Sequence, residues 1–275
     1  MIVSDPMPFA EALESRAVRT SLPTSLSSAR LREIDRELLV RSNFSARTFN
    51  VEYLDDVNRV INQLVDGEID QATGRMALKS TMERLGGPEA VGEQGVGLRD
   101  LGSDARLNLI LETNTEMAQG YGHYVQGQDT AILDQWPAQE LIRVIEPQGT
   151  PRDWPERWEA VGGEFYDGRM IARKDSDIWQ RLGSDFADGL QNPYPPFAFN
   201  SGMDVQDIRR SEAEQLGVLT ADATVRPAPD KGFNDELRFS KPIRAQFLRD
   251  ALESSDEQLY FDDAGVLRTR GRAAA

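Results

Sequence analysis

The chain has 275 residues with 31 Lys or Arg against 46 Asp or Glu, a formal net charge of −15. Such a balance excludes non-specific binding to DNA or to an anionic membrane, both of which rest on clustered Lys and Arg. With no cysteine and a single histidine, His123, there is no disulfide framework and no thiolate metal site, and most zinc and triad chemistry is removed as well.

A hydrophobic content of 39% and a mean hydropathy of −0.51 predict a soluble, rather polar protein. It is large enough for one large domain or two smaller ones. No apolar run approaches the roughly 20 residues that span a bilayer. The first residues, MIVSDPMPFAEALES, lack a basic start and an apolar run, so synthesis and use, or assembly, in a cytoplasm is expected.

Residues 1–28 alternate short apolar pieces with Pro6, Pro8 and Pro23 and a Ser/Thr-rich patch. They predict an N-terminal arm with a short helix over 8–19, either disordered or laid on a partner. Residues 29–86 predict a helical region. Leu31, Ile34, Leu38 and Leu39 share one face in a pattern running toward Phe44. Val51, Leu54, Val57, Ile61, Leu64 and Val65 form a second stripe, stopped by Gly67. A third helix starts near Asp70 and carries Ala72, Met76, Met82 and Leu85. Short connections imply antiparallel packing. Residues 87–102, with five glycines and no apolar period, predict a flexible linker and a domain boundary. These glycines fit neither phosphate-binding pattern.

Residues 103–217 are expected to form an α+β domain. Ser103 caps a long helix with Leu107, Ile110, Leu111, Met117, Ala118, Tyr121, Tyr124 and Val125 as its stripe. Asn114 falls on the same face, as a core amide bridging two segments. A strand is expected over 141–145, ended by Pro147, then a short helix over 154–161 ended by Gly162 and Gly163. Asp167-Gly168 signals a hairpin over 164–174. Residues 173–203 hold Trp179, Phe186, Tyr194, Phe197 and Phe199 among Pro193, Pro195 and Pro196. Each proline fixes its own φ and pushes its predecessor toward extended geometry, so residues 192–197 cannot be helix and an ordered aromatic loop is expected. This clasp either closes a core or docks on a partner. A helix over 204–216, capped by Asp204 and stopped by Gly217, should follow. Residues 218–275 form a C-terminal extension with a helix over 241–253, a hairpin pairing 258–261 with 266–268, and a small basic tail. The fold class expected is thus α+β and mostly helical.

Acid pairs such as Asp175/Asp177, Asp185/Asp188 and Asp262/Asp263 could be drawn as hydrolase or metal-ion pairs, but none has specific flanking residues. No nucleophile elbow, zinc-protease, Walker or kinase signature is present. The residues therefore predict no catalytic, cofactor or metal site.

The order of elements resembles the Mu F-like family of phage head morphogenesis proteins, minor components of tailed-phage heads, over residues 106–203. The family's arginine-led helix with a Thr-Asn pair is matched by Arg106 and Thr113-Asn114. Its Arg-His-Leu-Gly segment is matched by Arg157, Val161 and Gly163. Asp177 to Trp179 fit its acidic-aromatic turn, and Pro195-Pro196 with Asn200 fit its Pro-Pro-x-x-x-Asn-Cys-x-Cys close. The family's histidine position falls near Trp158 and its cysteine positions on Ser201 and Met203, so Trp158 and Met203 are expected to close that region by apolar packing. The resemblance implies a non-enzymatic virion protein without cofactor, assembled in the host cytoplasm. Its partners would be the portal or the major capsid protein. It would not read nucleic-acid sequence, and the negative surface would limit adhesion to packaged DNA close by. The structural or interaction candidates are Asn114, Trp158, Trp179, Tyr194, Pro195, Pro196, Phe197, Phe199 and Asn200. The alternatives are a carboxylate-based hydrolase or transferase, and a non-viral protein-interaction module.

Overall fold

The computed structural model describes residues 12, 16, 20–21, 42–43, 45, 47–48, 50–146, 152–228, 259–261 and 267–269. The fold is α+β and mostly helical, with seven α-helices and a four-stranded antiparallel sheet among the described residues. The chain divides into two compact units, and the divide falls inside the longest helix, between Thr115 and Glu116.

The first unit contains described residues 16–115, 259–261 and 267–269. Here β1 (Thr20–Ser21) pairs in parallel with β2 (Ser42–Asn43). Extended backbone at Ser42 and Asn43 stops the expected helical pattern short of Phe44; the rest of that helix, residues 29–41, lies outside the described residues. Helix α1 (Val51–Val65) starts where the Asn50 side chain accepts the Tyr53 N–H at 3.0 Å. Its 3/4 periodicity buries Tyr53, Leu54, Val57, Val60, Ile61 and Val65. Gly67, at φ 77°, ends it with paired bonds from Gly67 N to Leu64 O and from Glu68 N to Gln63 O. Helix α2 (Gln71–Arg84), capped by Asp70, returns antiparallel. Its last turn meets the first two turns of α1 through Arg84–Glu52 and through Thr81 donating to Asp56 at 2.7 Å.

The 87–102 segment is neither a linker nor a boundary. It carries 3-10 turns at Pro88–Ala90 and Gly97–Arg99, and Val91, Gly92 and Leu101 are buried. Asn50 N donates to Val91 O and Glu93 N donates to Arg47 O, so the backbone is held on both sides of Gly92. A Cβ on Gly92 would lie 2.1 Å from Arg47 O. Glycine there permits close main-chain approach rather than flexibility. Helix α3 (Asp104–Gln126) follows, with Leu107, Ile110 and Leu111 buried in this unit. Strands β7 (Leu259–Phe261) and β8 (Leu267–Thr269) pair antiparallel as expected, whereas the 241–253 helix falls outside the described residues.

The second unit contains described residues 12, 116–146 and 152–228. After α4 (Thr130–Gln135), strand β3 (Ala138–Arg143) begins three residues earlier than the 141–145 expectation. Helix α5 (Trp154–Ala160) has Pro155 in its first turn and Asp153 as cap, accepting from Glu156 N at 2.9 Å. Strands β4 (Phe165–Tyr166) and β5 (Arg169–Arg173) form the predicted hairpin across Asp167 and Gly168, both at positive φ. Inside the expected loop, residues Ile178–Ser184 form a helix, α6.

The clearest departure follows the clasp. Residues Met203–Ile208 are strand β6 rather than a helix capped by Asp204, and they pair with β3 along all six positions. Helix α7 is confined to Arg210–Gln215 and stops at Gly217, φ 78°. The Asp204 cap signal is local, and it yields to a six-residue ladder because β3 offers an unpaired edge that a helix would leave open. The alternation of Met-Asp-Val-Gln-Asp-Ile fits that outcome, since it sends Met203 and Val205 to one face and Ile208 to the other. Sheet order is β4-β5-β3-β6. One face packs Leu141, Ala172 and Met203 against α5, α6 and the clasp; the other packs Ala138, Ile171 and Ile208 against Ala213 and Leu219.

Candidate functional site

The residues singled out by the aromatic-proline pattern converge on one apolar centre of the second unit. Trp154, Trp158, Val161, Trp179, Leu182, Phe197, Ala198 and Met203 are all buried there, on the Leu141–Ala172 face of the sheet. Ring centroids of Trp158 and Trp179 are 5.4 Å apart, and Trp179 stacks on Phe197 at 6.2 Å. Two of the three indoles in the cluster have their polar atom satisfied, whereas Trp154 Nε1 is buried without a hydrogen-bond partner. Trp158 Nε1 donates to Glu164 O and Trp179 Nε1 donates to Arg173 O, both at 2.8 Å. Trp158 and Met203 thus stand in one packed cluster. The Ser201 side chain, also buried, accepts from Met203 N at 3.1 Å and turns the chain into β6.

The clasp itself is fixed from two sides. Tyr194 meets Tyr121 edge-on at 5.7 Å and Tyr124 at 5.5 Å. Pro195 and Pro196 are buried and joined by a cis peptide bond. Gly120 of α3 allows the Pro195 carbonyl close approach, since a Cβ there would lie 2.2 Å from that oxygen. Phe197 is fully buried, whereas Phe199 is only half-buried and Asn200 is exposed. Asn200 has φ 48°, a left-handed backbone that asparagine tolerates better than most residues. Its contribution to the clasp is conformational and through its carbonyl, not through a buried side chain. Asn114 belongs to the first unit. Its Nδ2 donates to Ile110 O at 2.8 Å and its Oδ1 accepts from Arg16 Nη1 at 3.4 Å, the bridging role expected of a core amide.

Sequence reasoning missed the brace that holds the end of the clasp. Arg152 donates to the carbonyls of Phe199 at 2.6 Å and Asn200 at 3.1 Å, and to the Asp188 carboxylate. Arg157 donates to Asp188 at 2.9 Å, and its guanidinium lies 4.5 Å from the Phe186 centroid and 5.3 Å from that of Trp154. Asp188 had been visible only as half of an acid pair. Its function is to receive two arginines from the start of α5. Burial pushes the Asp188 carboxyl up, but the hydrogen bonds from Arg152 and Arg157, with their charges, outweigh it and hold the group below the usual carboxylate range.

A carboxyl depressed in the folded state adds stability that is present above its unfolded value, about 3.9 for Asp, and is lost as pH falls through the folded value. The wild-type chain should therefore melt above Asp188→Asn at neutral pH. Scanning calorimetry should show that gap closing as the pH is taken below about 4. A gap that stays constant into acid would show that the brace does not depend on the ionised carboxylate.

The other acid pairs do not converge. Asp175 is held by Arg173 at 2.7 Å and accepts from Arg226 N at 3.2 Å, while Asp177 points to solvent at the start of α6. Asp185 pairs with Arg181 at 3.0 Å, and Asp262 and Asp263 lie outside the described residues. His123 is on the exposed side of α3. Among the described residues no group of three or more His, Asp or Glu could hold a metal ion. No family model, curated protein or solved structure matches the chain.

Proposed function

We propose that the protein is a minor structural component of a tailed-phage head, acting in head morphogenesis beside the portal or on the inner capsid surface. The observation that carries this reading is the joint burial of Trp158, Trp179, Phe197 and Met203 in one cluster. These positions come from three separate stretches of the head-protein pattern, and their order along the chain is the order of that pattern. Where the pattern has histidine and cysteine, this chain has an indole and a thioether packed together, which supports a structural centre rather than a reactive one. The rival carboxylate chemistry loses its best pairs, because Asp175, Asp185 and Asp188 are each engaged by arginine.

The net charge of −15 suits a protein working close to packaged DNA without adhering to it. In this reading the partners are the portal or the major capsid protein, and no membrane or base-specific contact is involved. Sedimentation of purified heads through a gradient, followed by mass spectrometry, should recover the chain with the head fraction at low copy number. Co-expression with the portal should give co-purification. Recovery only as a free species, with heads lacking it, would overturn the proposal.

A further inference from the structure

Arg16 is fully buried in the first unit, although it comes from a stretch read as an arm that is either disordered or laid on a partner. Its guanidinium meets three side-chain amides drawn from two helices. Nη2 donates to Asn58 Oδ1 at 2.6 Å, Nη1 to Asn114 Oδ1 at 3.4 Å, and Nε to Asn62 Oδ1 at 3.5 Å. The first bond is short and carries most of the contact; the other two complete the fork at longer range.

The amides are aimed rather than adventitious. Asn58 and Asn62 stand one helical turn apart on α1, so their side chains project from the same face. On α3, the Asn114 bond from Nδ2 to Ile110 O turns Oδ1 toward the arginine. Beside this contact, a cavity of about 440 Å³ opens along α1, and Asn58 and Asn62 line it together with Asp55, Asp66 and Glu68. A positively charged planar group is thus received by three amide oxygens, and two of these asparagines also line a cavity that carries three carboxylates. The remaining cation there, Arg59, is turned onto Asp56 and Gln63.

We infer that Asn58, Asn62 and Asn114 form a guanidinium-binding slot, occupied by Arg16 of the same chain, which latches the chain at Arg16 onto α1 and α3. The ligand class is a planar alkylguanidinium. An ammonium of equal charge does not serve, because it is compact and cannot address three separated acceptors in a fork. Emptying the slot by Arg16→Ala therefore leaves a site that a small guanidinium ion from solution can refill.

The test uses the full chain. Arg16→Ala should lower Tm. Methylguanidinium at millimolar concentration should raise the Tm of that variant progressively, as expected of a ligand that binds the folded state alone. Methylammonium at the same concentration should not, and wild type, with its slot filled, should respond to neither. Equal responses to both cations, or an equal response in wild type, would overturn the slot. So would an Arg16→Ala protein with unchanged Tm. If Arg16→Ala does not fold, Asn58→Leu in the intact chain gives the second measurement. Trypsin should cut after Arg16 several-fold faster in that variant than in wild type, read by mass spectrometry of the released 1–16 fragment. Unchanged cleavage would overturn the latch.

Discussion

Replacing Trp179 with alanine is expected to cost about 3–5 kcal/mol, the range for deleting a large buried aromatic. The side chain is 2% exposed and sits between Trp158 and Phe197, so its removal strips one ring contact from each neighbour. It also deletes the donor to Arg173 O, which then stays in the interior with one bond fewer. Relaxation is limited because the cluster is bounded by the sheet on one side and by α5 and α6 on the other. Urea unfolding followed by tryptophan fluorescence measures the change. Phe199→Ala is the internal comparison. Phe199 is half-buried, so its loss should be clearly smaller than that of Trp179. Equal losses at the two positions would mean that the clasp closes on Phe199 instead. Unchanged stability for Trp179→Ala, together with failure to enter heads, would make the clasp an interface for a partner.

The second large effect is expected at Gly120. Alanine is normally favoured over glycine inside a helix by about 1 kcal/mol, and a helix-propensity argument alone predicts stabilisation of α3. The approach of Pro195 reverses the sign. A Cβ would stand 2.2 Å from the Pro195 carbonyl oxygen, which is main chain and cannot rotate away, and 3.3 Å from Tyr194 Cδ2. Either α3 or the clasp must move, and overpacking of this kind costs about 1–3 kcal/mol or more. Gly120→Ala should therefore lower Tm by several degrees and alter the near-ultraviolet dichroism of the Tyr121–Tyr124–Tyr194 group. A stabilised variant would show that the clasp yields freely and that its contact with α3 is loose.

Elements whose signals are short-range were legible in the chain. The 3/4 periodicity located α1, and the Gly67 stop took the predicted form. Helix α2 starts near Asp70 as expected, but of its expected stripe only Met82 is buried; Met76 is exposed, and the face turned inward is Gly74, Leu78, Thr81 and Met82. Asp167-Gly168 located the β4–β5 hairpin, since only a few residue types accept two successive positive φ angles. Trp154-Pro155 and Gly162 bracketed α5 for similar reasons. The candidate centre was legible in part, because aromatic and proline-rich composition marks a segment that must be ordered by burial. Trp158, Trp179, Tyr194 and Phe197 met that expectation by packing, while Phe199 is half-buried and Asn200 takes part through its backbone.

The tertiary structure alone decided the remainder, and in each case the partner was distant along the chain. Met203–Ile208 could satisfy its backbone as helix or as strand, and the free edge of β3, some 60 residues earlier, selected strand. The glycines of 87–102 read as slack until the strand-like contact with Arg47 and Thr48 showed that one of them, Gly92, admits a neighbouring main chain. Asp188 read as one carboxylate among 46 acidic residues until Arg152 and Arg157 were placed against it. Arg16 read as part of an N-terminal arm, yet its three amide partners lie 42, 46 and 98 residues away. Local sequence determined where this protein turns, caps and stops, because those preferences are set by each residue's own φ, ψ and hydrogen-bonding groups. Which edge is paired, which charge is met and which glycine is needed depend on surfaces brought together only by folding, and those were settled by the packed structure.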